Sequence, residues 1–193
     1  MGSVPRILAF AGSLRKDSYN KKLVVVAAAG AQDAGAEVTL IDLADYPLPV
    51  FDQDLEASQG LPDSAVRLKT EFKNHDGFLI GCPEYNSSIT AALKNAIDWV
   101  SRPLPDEAPL ACFKGKVAAI MSTSPGALGG LRGLVHVRAI LSNIHVLVLP
   151  DQKAIPNAHK AFDDHGSLTD PKQQQAVLDL GARLTETVAK LAD

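Results

Sequence analysis

The residues best suited to chemistry lie in Gly12-Ser13-Leu14-Arg15-Lys16-Asp17-Ser18-Tyr19-Asn20, which gathers two serine hydroxyls, a guanidinium and a carboxamide. That set can hold an anionic cluster of oxygens. The stretch follows the apolar run Ile7-Leu8-Ala9-Phe10-Ala11 and precedes an Ala/Val-rich segment from Lys21 to Ala34, so it joins a buried strand to a helix start. Unpaired N–H groups at a helix start, with the positive end of the helix dipole, favour a phosphate. Arg15 can add a bidentate charged contact. The alternative is that Ser18 caps the helix and the rest is a solvated turn. This stretch by itself does not separate the two.

Two further stretches have unusual chemistry. Pro83-Glu84-Tyr85-Asn86-Ser87-Ser88 sets a rigid proline, an aromatic ring and an amide at the end of an apolar strand. Backbone groups beyond the proline stay free to meet a flat heterocycle edge-on, and Tyr85 can cover a ring. A turn in which Asn86 or Ser88 caps the next helix is the plainer reading, and both can hold together. Ser124-Pro125-Gly126 with Gly129-Gly130 removes side chains where a backbone can approach a ligand closely. Alone, such a loop signals no more than a tight turn.

Other signatures are missing. The chain has no GxGxxG, no GxxxxGK[ST] and no GxSxG. Its five histidines show no metal-ligand spacing, and Cys82 and Cys112 show no CxxC. Six residues after Cys82 stands Ser88, not the arginine of a cysteine phosphatase loop. Asp42, Glu84, Arg102 and Arg132 read first as ion-pair partners near the expected crevice. A crevice without nucleophile, base or metal set points to chemistry carried by a cofactor.

The elements that must position these loops follow from the apolar runs. Strands are predicted at about Arg6–Ala11, Glu37–Asp42, Gly77–Cys82, Lys116–Ser122 and His145–Leu149. Helices are predicted at about 18–34, 62–74, 90–101, 131–143 and 170–191, with irregular stretches at 43–61, 102–114 and 150–168. Strand–helix alternation of this kind builds an α/β, doubly wound parallel sheet. The sequence does not by itself set the strand order. In the order 2-1-3-4-5 the loops after strands one and three flank the crevice where such sheets bind ligands, and the loop after strand four lies beside them. Convergence of all three weighs against a solvated turn for any one of them.

These motifs, with Leu93-Lys94-Asn95-Ala96-Ile97-Asp98-Trp99 and Arg132, resemble the NADPH-dependent FMN reductase family from about Pro5 to Leu191. That family comprises flavodoxin-like flavoproteins, quinone, chromate and azo-dye reductases among them. The resemblance implies a flavodoxin-like three-layer α/β/α sandwich with a five-stranded parallel sheet in the order 2-1-3-4-5, as a single FMN-binding domain over residues 1–193. It implies that Ser13, Arg15, Ser18 and Asn20 hold the FMN phosphate and that Pro83, Glu84, Tyr85 and Asn86 lie against the isoalloxazine. Ser124, Gly126 and Gly129 would close over the ring. It further implies NADPH or NADH as electron donor, ping-pong hydride transfer through flavin N5, and a homodimer or homotetramer. No side chain is then expected to be catalytic. Arg102 is a candidate for holding nicotinamide phosphates or an anionic acceptor, or else for an ion pair across a subunit interface. The chain has Thr90-Ala91 where the family commonly has Pro-Gly, which puts the start geometry of the third helix in question.

Composition narrows the classes. The chain has 193 residues, 46% hydrophobic and 21% charged, with a net charge of −3. It therefore reads as a soluble globular domain, with no basic run for nucleic acid and no apolar stretch for membrane insertion. Two reduced thiols and the lack of a signal-peptide pattern suit a cytoplasmic protein. Small-molecule acceptors are expected: quinones, chromate, azo dyes, ferric chelates or flavins. The alternative is a flavodoxin-type electron carrier without its own nicotinamide activity, although such carriers tend to be strongly acidic. A Rossmann enzyme with Asp42 on a ribose is disfavoured, because Gly12 and Asp42 are 30 residues apart against the usual spacing of about 20.

Overall fold

Where the sequence shows its longest apolar runs, the computed structural model, which describes residues 3–192, shows the inner strands of a parallel sheet. In chain order the elements are β1 (Arg6–Ala11), α1 (Tyr19–Asp33), β2 (Glu37–Leu40), a 3-10 turn (Leu43–Asp45), α2 (Gln53–Gln59), α3 (Asp63–Asn74) and β3 (Gly77–Gly81). Then follow β4 (Glu84–Tyr85), β5 (Ser88–Ile89), α4 (Ala91–Val100), β6 (Val117–Thr123), α5 (Leu131–Asn143), β7 (Leu147–Ile155), α6 (Ala158–Ala161) and α7 (Pro171–Ala192). The five-stranded sheet runs β2-β1-β3-β6-β7. Counting only its own strands, that is the expected 2-1-3-4-5. All its pairings are parallel, with Ile7 opposite Gly77 and Gly77 opposite Val117.

Alternate residues of each inner strand face opposite layers, as the two-residue period of a strand requires. Ile7, Ala9, Leu79, Ala119 and Met121 pack under α1 and α7. Leu8, Phe10, Phe78, Ile80, Ala118 and Ile120 pack under α3, α4 and α5, where Phe72 joins Phe10, Phe78 and Phe113. Both faces are covered, so β1, β3 and β6 carry apolar residues almost without alternation. This is the flavodoxin-like three-layer sandwich.

Besides the short α6 inside the stretch 150–168, three segments depart from expectation. The stretch 43–61 is not irregular throughout: the Asp52 carboxylate accepts from the N–H groups of Asp54 and Leu55 to start α2, and Gly60 ends it at φ 75°. That helix buries no residue, so no apolar period announces it. β7 runs six residues past Leu149 to Ile155, including Pro150. As an edge strand it tolerates a residue without an N–H, and a register shift between Ala118 and Ile120 absorbs the irregularity. The turn at 83–88 is a small antiparallel hairpin, pairing Glu84 with Ile89 and Tyr85 with Ser88. Asn86 and Ser87 turn its corner at φ 51° and 66°, the left-handed pair that a two-residue hairpin favours.

The proline-rich loop after α4 is held from below by a buried ammonium. Lys69, 1% exposed, donates to the carbonyls of Val100 (3.1 Å) and Arg102 (2.7 Å) and pairs with Glu107 Oε2 at 2.8 Å. Glu107 also pairs with Lys73 at 2.9 Å and accepts the Leu104 N–H at 3.0 Å. Among the described residues no helix is long and apolar enough to cross a membrane.

Candidate functional site

The loops leaving β1, β3 and β6 meet at the carboxyl edge of the sheet, where the strand order reverses between β1 and β3. A cleft of about 320 Å³ there is lined by residues 12–15, Tyr85 and residues 90–92. An adjoining cleft of about 360 Å³ continues past Leu14 and Ala92 to Val50 and Phe51.

In the first loop Ser13 and Ser18 are buried while Arg15 is exposed. The Ser13 hydroxyl accepts the Arg15 N–H at 3.3 Å, which tightens the turn. Ser18 occupies the N-cap of α1, as expected, but its side chain makes no capping hydrogen bond, and the first turn holds no acidic residue. The helix start is therefore open to an anion from outside the chain. Two hydroxyls, a guanidinium and uncapped N–H groups, with no carboxylate among them in the first turn, form a donor set that suits a phosphate. The capping alternative for Ser18 fails in its chemistry, although the position is right.

Asn20 is tied into the frame of the site. Its Nδ2 donates to the Thr123 carbonyl at 2.9 Å and its Oδ1 accepts the Thr123 N–H at 3.1 Å, with the residue 4% exposed. The carboxamide thus bridges α1 to the last residue of β6. Thr90, which in sequence stands out only as an irregularity, supplies a similar tie. Its hydroxyl donates to the Gly12 carbonyl at 2.6 Å and accepts the Leu93 N–H at 3.1 Å, capping α4. The start of α4 is therefore well defined without Pro-Gly.

In the second loop Pro83 is buried, and Tyr85 and Asn86 are exposed on the hairpin. Glu84 turns its carboxylate to α5. Oε1 accepts from Arg132 Nε (3.1 Å) and Nη2 (2.8 Å), and Oε2 accepts the Gly133 N–H (3.0 Å). Burial works to raise its carboxyl pKa, but the Gly133 N–H and the Arg132 guanidinium outweigh it and hold the group below the ordinary value. Ser88 Oγ and His136 Nδ1 lie 2.9 Å apart, a second tie to the same helix.

In the third loop Ser124 is braced by Ile155 and Ala158, and the Gly126 carbonyl accepts from Gly129 and Asn157. Gly130 has φ 86°, and a Cβ there would lie 1.9 Å from Ser122 Oγ, whose hydroxyl donates to the Cys82 carbonyl at 2.6 Å. A side chain at 130 is excluded. Gly129, at φ 61°, is held tight against the Ile155 backbone in the same way. Gly126 is different. A Cβ there would meet nothing nearer than Ser124 Oγ at 3.7 Å, so the space over this exposed backbone is open to a ligand.

Arg102 is not among the residues lining the cleft. Its Nε donates to Glu56 Oε1 at 2.7 Å, and its guanidinium lies over the Phe51 ring at 5.7 Å. The expected ion pair exists, but within one chain. Asp42 likewise pairs with Lys21 and accepts the Ala44 N–H at 2.9 Å, as a local cap. Cys82 is buried, and burial pushes its thiol pKa far above the ordinary value, which disfavours the thiolate that a nucleophile needs.

Comparison with known proteins agrees with this geometry. The profile of the family described as NADPH-dependent FMN reductase matches residues 5–160. An NAD(P)H-dependent FMN reductase of Pseudomonas aeruginosa is 36% identical over 174 residues, 89% of each chain. An NAD(P)H:quinone oxidoreductase of Solanum tuberosum is 36% identical over 178 residues, 89% of this chain and 87% of that one. Among solved structures, the flavoenzyme NAD(P)H:(acceptor) oxidoreductase FerB from Paracoccus denitrificans superposes with a TM-score of 0.80 at 32% identity, covering 97% of this chain and 98% of its own.

Proposed function

Because the chain belongs to the NADPH-dependent FMN reductase family, we propose that it moves electrons from NADPH or NADH to small oxidised acceptors, using FMN held at the carboxyl ends of β1, β3 and β6. FMN, when bound there, would supply the redox chemistry, hydride transfer through N5. The chain's own groups bind and orient. Ser13, Ser18, Arg15 and the open N-terminus of α1 receive the phosphate. Backbone of Pro83, Glu84, Tyr85 and Asn86 would meet the ring edge, Tyr85 would border the ring, and the loop from Ser124 through the exposed Gly126, held against Ile155 at Gly129, would close over it. Asn20 acts on this site through the frame rather than as a ligand.

The observation that carries this reading is the start of α1, which has no side-chain cap from Ser18 and no acidic residue in its first turn. Donor and acceptor use one opening in turn, a ping-pong arrangement that needs no catalytic side chain. The acceptors are quinones, chromate, azo dyes, ferric chelates or flavins. Quinones are supported by the similarity to the NAD(P)H:quinone oxidoreductase of Solanum tuberosum. We further infer a homodimer or homotetramer, supported by Leu14 and Val50, which are 58% and 84% exposed beside the cleft. The chain acts as one flavodoxin-like FMN-binding domain over 1–193 in the cytoplasm, a compartment suited to its two free thiols.

The test is a visible spectrum of the purified protein, repeated without oxygen after NADPH is added. Flavin bands that bleach support the reductase. Bands that persist with both NADPH and NADH would assign it instead to the electron-carrier flavodoxins. A protein that cannot be loaded with FMN overturns the reading.

A further inference from the structure

We propose that Glu84 is a positioning residue for the flavin ring: its carboxylate supplies the missing N-cap of α5 and thereby locks the β4–β5 hairpin against the third loop. The inference rests on the proposed FMN site. It starts from Gly130, the N-cap residue of α5. Glycine has no side chain with which to cap, and none fits, because a Cβ would collide with Ser122 Oγ at 1.9 Å. The first turn of α5 has no acidic residue and makes no side-chain cap of its own. Left alone, this helix would present bare N–H groups beside the cleft, as α1 does.

Glu84 closes that gap from 49 residues away. Its Oε2 accepts the Gly133 N–H at 3.0 Å, while Oε1 takes both Arg132 contacts, and its side chain is only 9% exposed. A carboxylate on first-turn N–H groups satisfies orphan donors and offsets the positive helix end. The two helix starts at this edge are thus made unequal. α1 remains open to an external anion, and α5 is neutralised by the chain itself.

The lock matters because β4 and β5 are two residues each. An isolated hairpin of that size does not hold its own shape in water. Its corner, Asn86 and Ser87, is left-handed, and its ring-facing backbone has no other sheet to join. Two ties restrain it, Glu84 to Arg132 and Gly133 and Ser88 to His136, and both end on α5. Since α5 begins where the third loop ends, the Glu84 clamp sets the distance between second and third loops.

The experiment compares wild type, Glu84→Ala and Glu84→Gln, each stripped of FMN and retitrated. Three quantities are read: the FMN dissociation constant, the visible spectrum of the bound flavin, and the melting temperature of the FMN-free protein. In Glu84→Ala the dissociation constant is expected to rise about tenfold, with a shifted flavin spectrum, because the ring-edge N–H groups lose their place. Glu84→Gln keeps one acceptor for the Gly133 N–H and loses the charged pair with Arg132, so an intermediate rise of about threefold is expected. It also supplies the reading if the alanine variant does not fold. A lower melting temperature with unchanged FMN affinity and spectrum would make Glu84 a mere helix cap and overturn the inference. A wild type that binds no FMN overturns both this inference and the proposed function, whereas normal binding by wild type and both variants overturns the clamp alone.

Discussion

In Asn20→Ala the two hydrogen bonds that join α1 to the end of β6 disappear together. The site is dry: Asn20 is 4% exposed and Thr123 2%. The variant leaves the Thr123 N–H and carbonyl without the partners they have at 3.1 and 2.9 Å. A lost neutral hydrogen bond costs about 1 kcal/mol net, and a stranded buried group adds about 1–3 kcal/mol unless water enters. Two bonds are lost; at about 1–2 kcal/mol each, once water enters and the backbone relaxes, the loss is about 2–4 kcal/mol. For a chain of 193 residues, each kcal/mol moves the melting point by about 2–4 °C, so a fall of about 5–15 °C is expected. The assay is urea unfolding and calorimetry of the FMN-free protein, which isolates the frame from the ligand. Asn20→Asp should be no better, since it keeps an acceptor but sets a buried oxygen against the Thr123 carbonyl. The reasoning is refuted if FMN-free stability stays within about 0.5 kcal/mol of wild type while FMN affinity falls tenfold. The carboxamide would then be a phosphate ligand after all.

Two further predictions concern the elements around the site. Burial tends to raise the Glu107 pKa, but Lys69, the Leu104 N–H and Lys73 outweigh it and bring it from 4.5 to about 2. A depressed carboxyl contributes stability above its unfolded value, and that contribution is lost as pH falls through the folded value. Wild type should therefore lose about 3 kcal/mol between pH 4.5 and 2 from this group. Glu107→Gln should lack that dependence and be less stable by a similar amount at pH 7. Urea midpoints that coincide at pH 7 would contradict this. Thr90→Val should destabilise by about 2 kcal/mol, because it removes both the α4 cap and the donor to Gly12. Thr90→Ser keeps both and should stay within about 1 kcal/mol, and equal urea midpoints for the two variants would count against the tie.

The sheet is legible in the sequence because its inner strands are buried on both faces and so carry unbroken apolar runs, from Ile7 to Ala11 and from Val117 to Met121. The edges are less so. β7 continues through Pro150, Asp151, Gln152 and Lys153, whose polarity suits an edge strand but reads as loop. α2 has legible caps in Asp52 and Gly60, yet without a buried face its body has no period. At the site, the donor-rich loop at 12–20 announces itself through residue types. The sorting of its members does not, since Asn20 finds its partner 103 positions away. Glu84 reads with the ring loop because of where it stands in the chain, while its carboxylate belongs to α5. Gly130 holds a usable signal: a helix start with no capping side chain asks which distant acceptor supplies one. Arg102 illustrates the reverse, a lone cation in sequence that pairs with the equally anonymous Glu56.

The ties around the cleft join parts of the frame to one another: Asn20 to Thr123, Thr90 to Gly12, Ser122 to Cys82, and Glu84 to Arg132 and Gly133. None of them uses Leu14, Val50 or Tyr85, the apolar residues exposed along the cleft. Mutation can therefore work on the two sets almost independently. Changes in the frame cost the loops their fold, whereas changes along the rim break none of these hydrogen bonds within the chain. A lineage carrying this fold can drift through rim variants, each meeting different oxidised molecules, without passing through an unfolded ancestor.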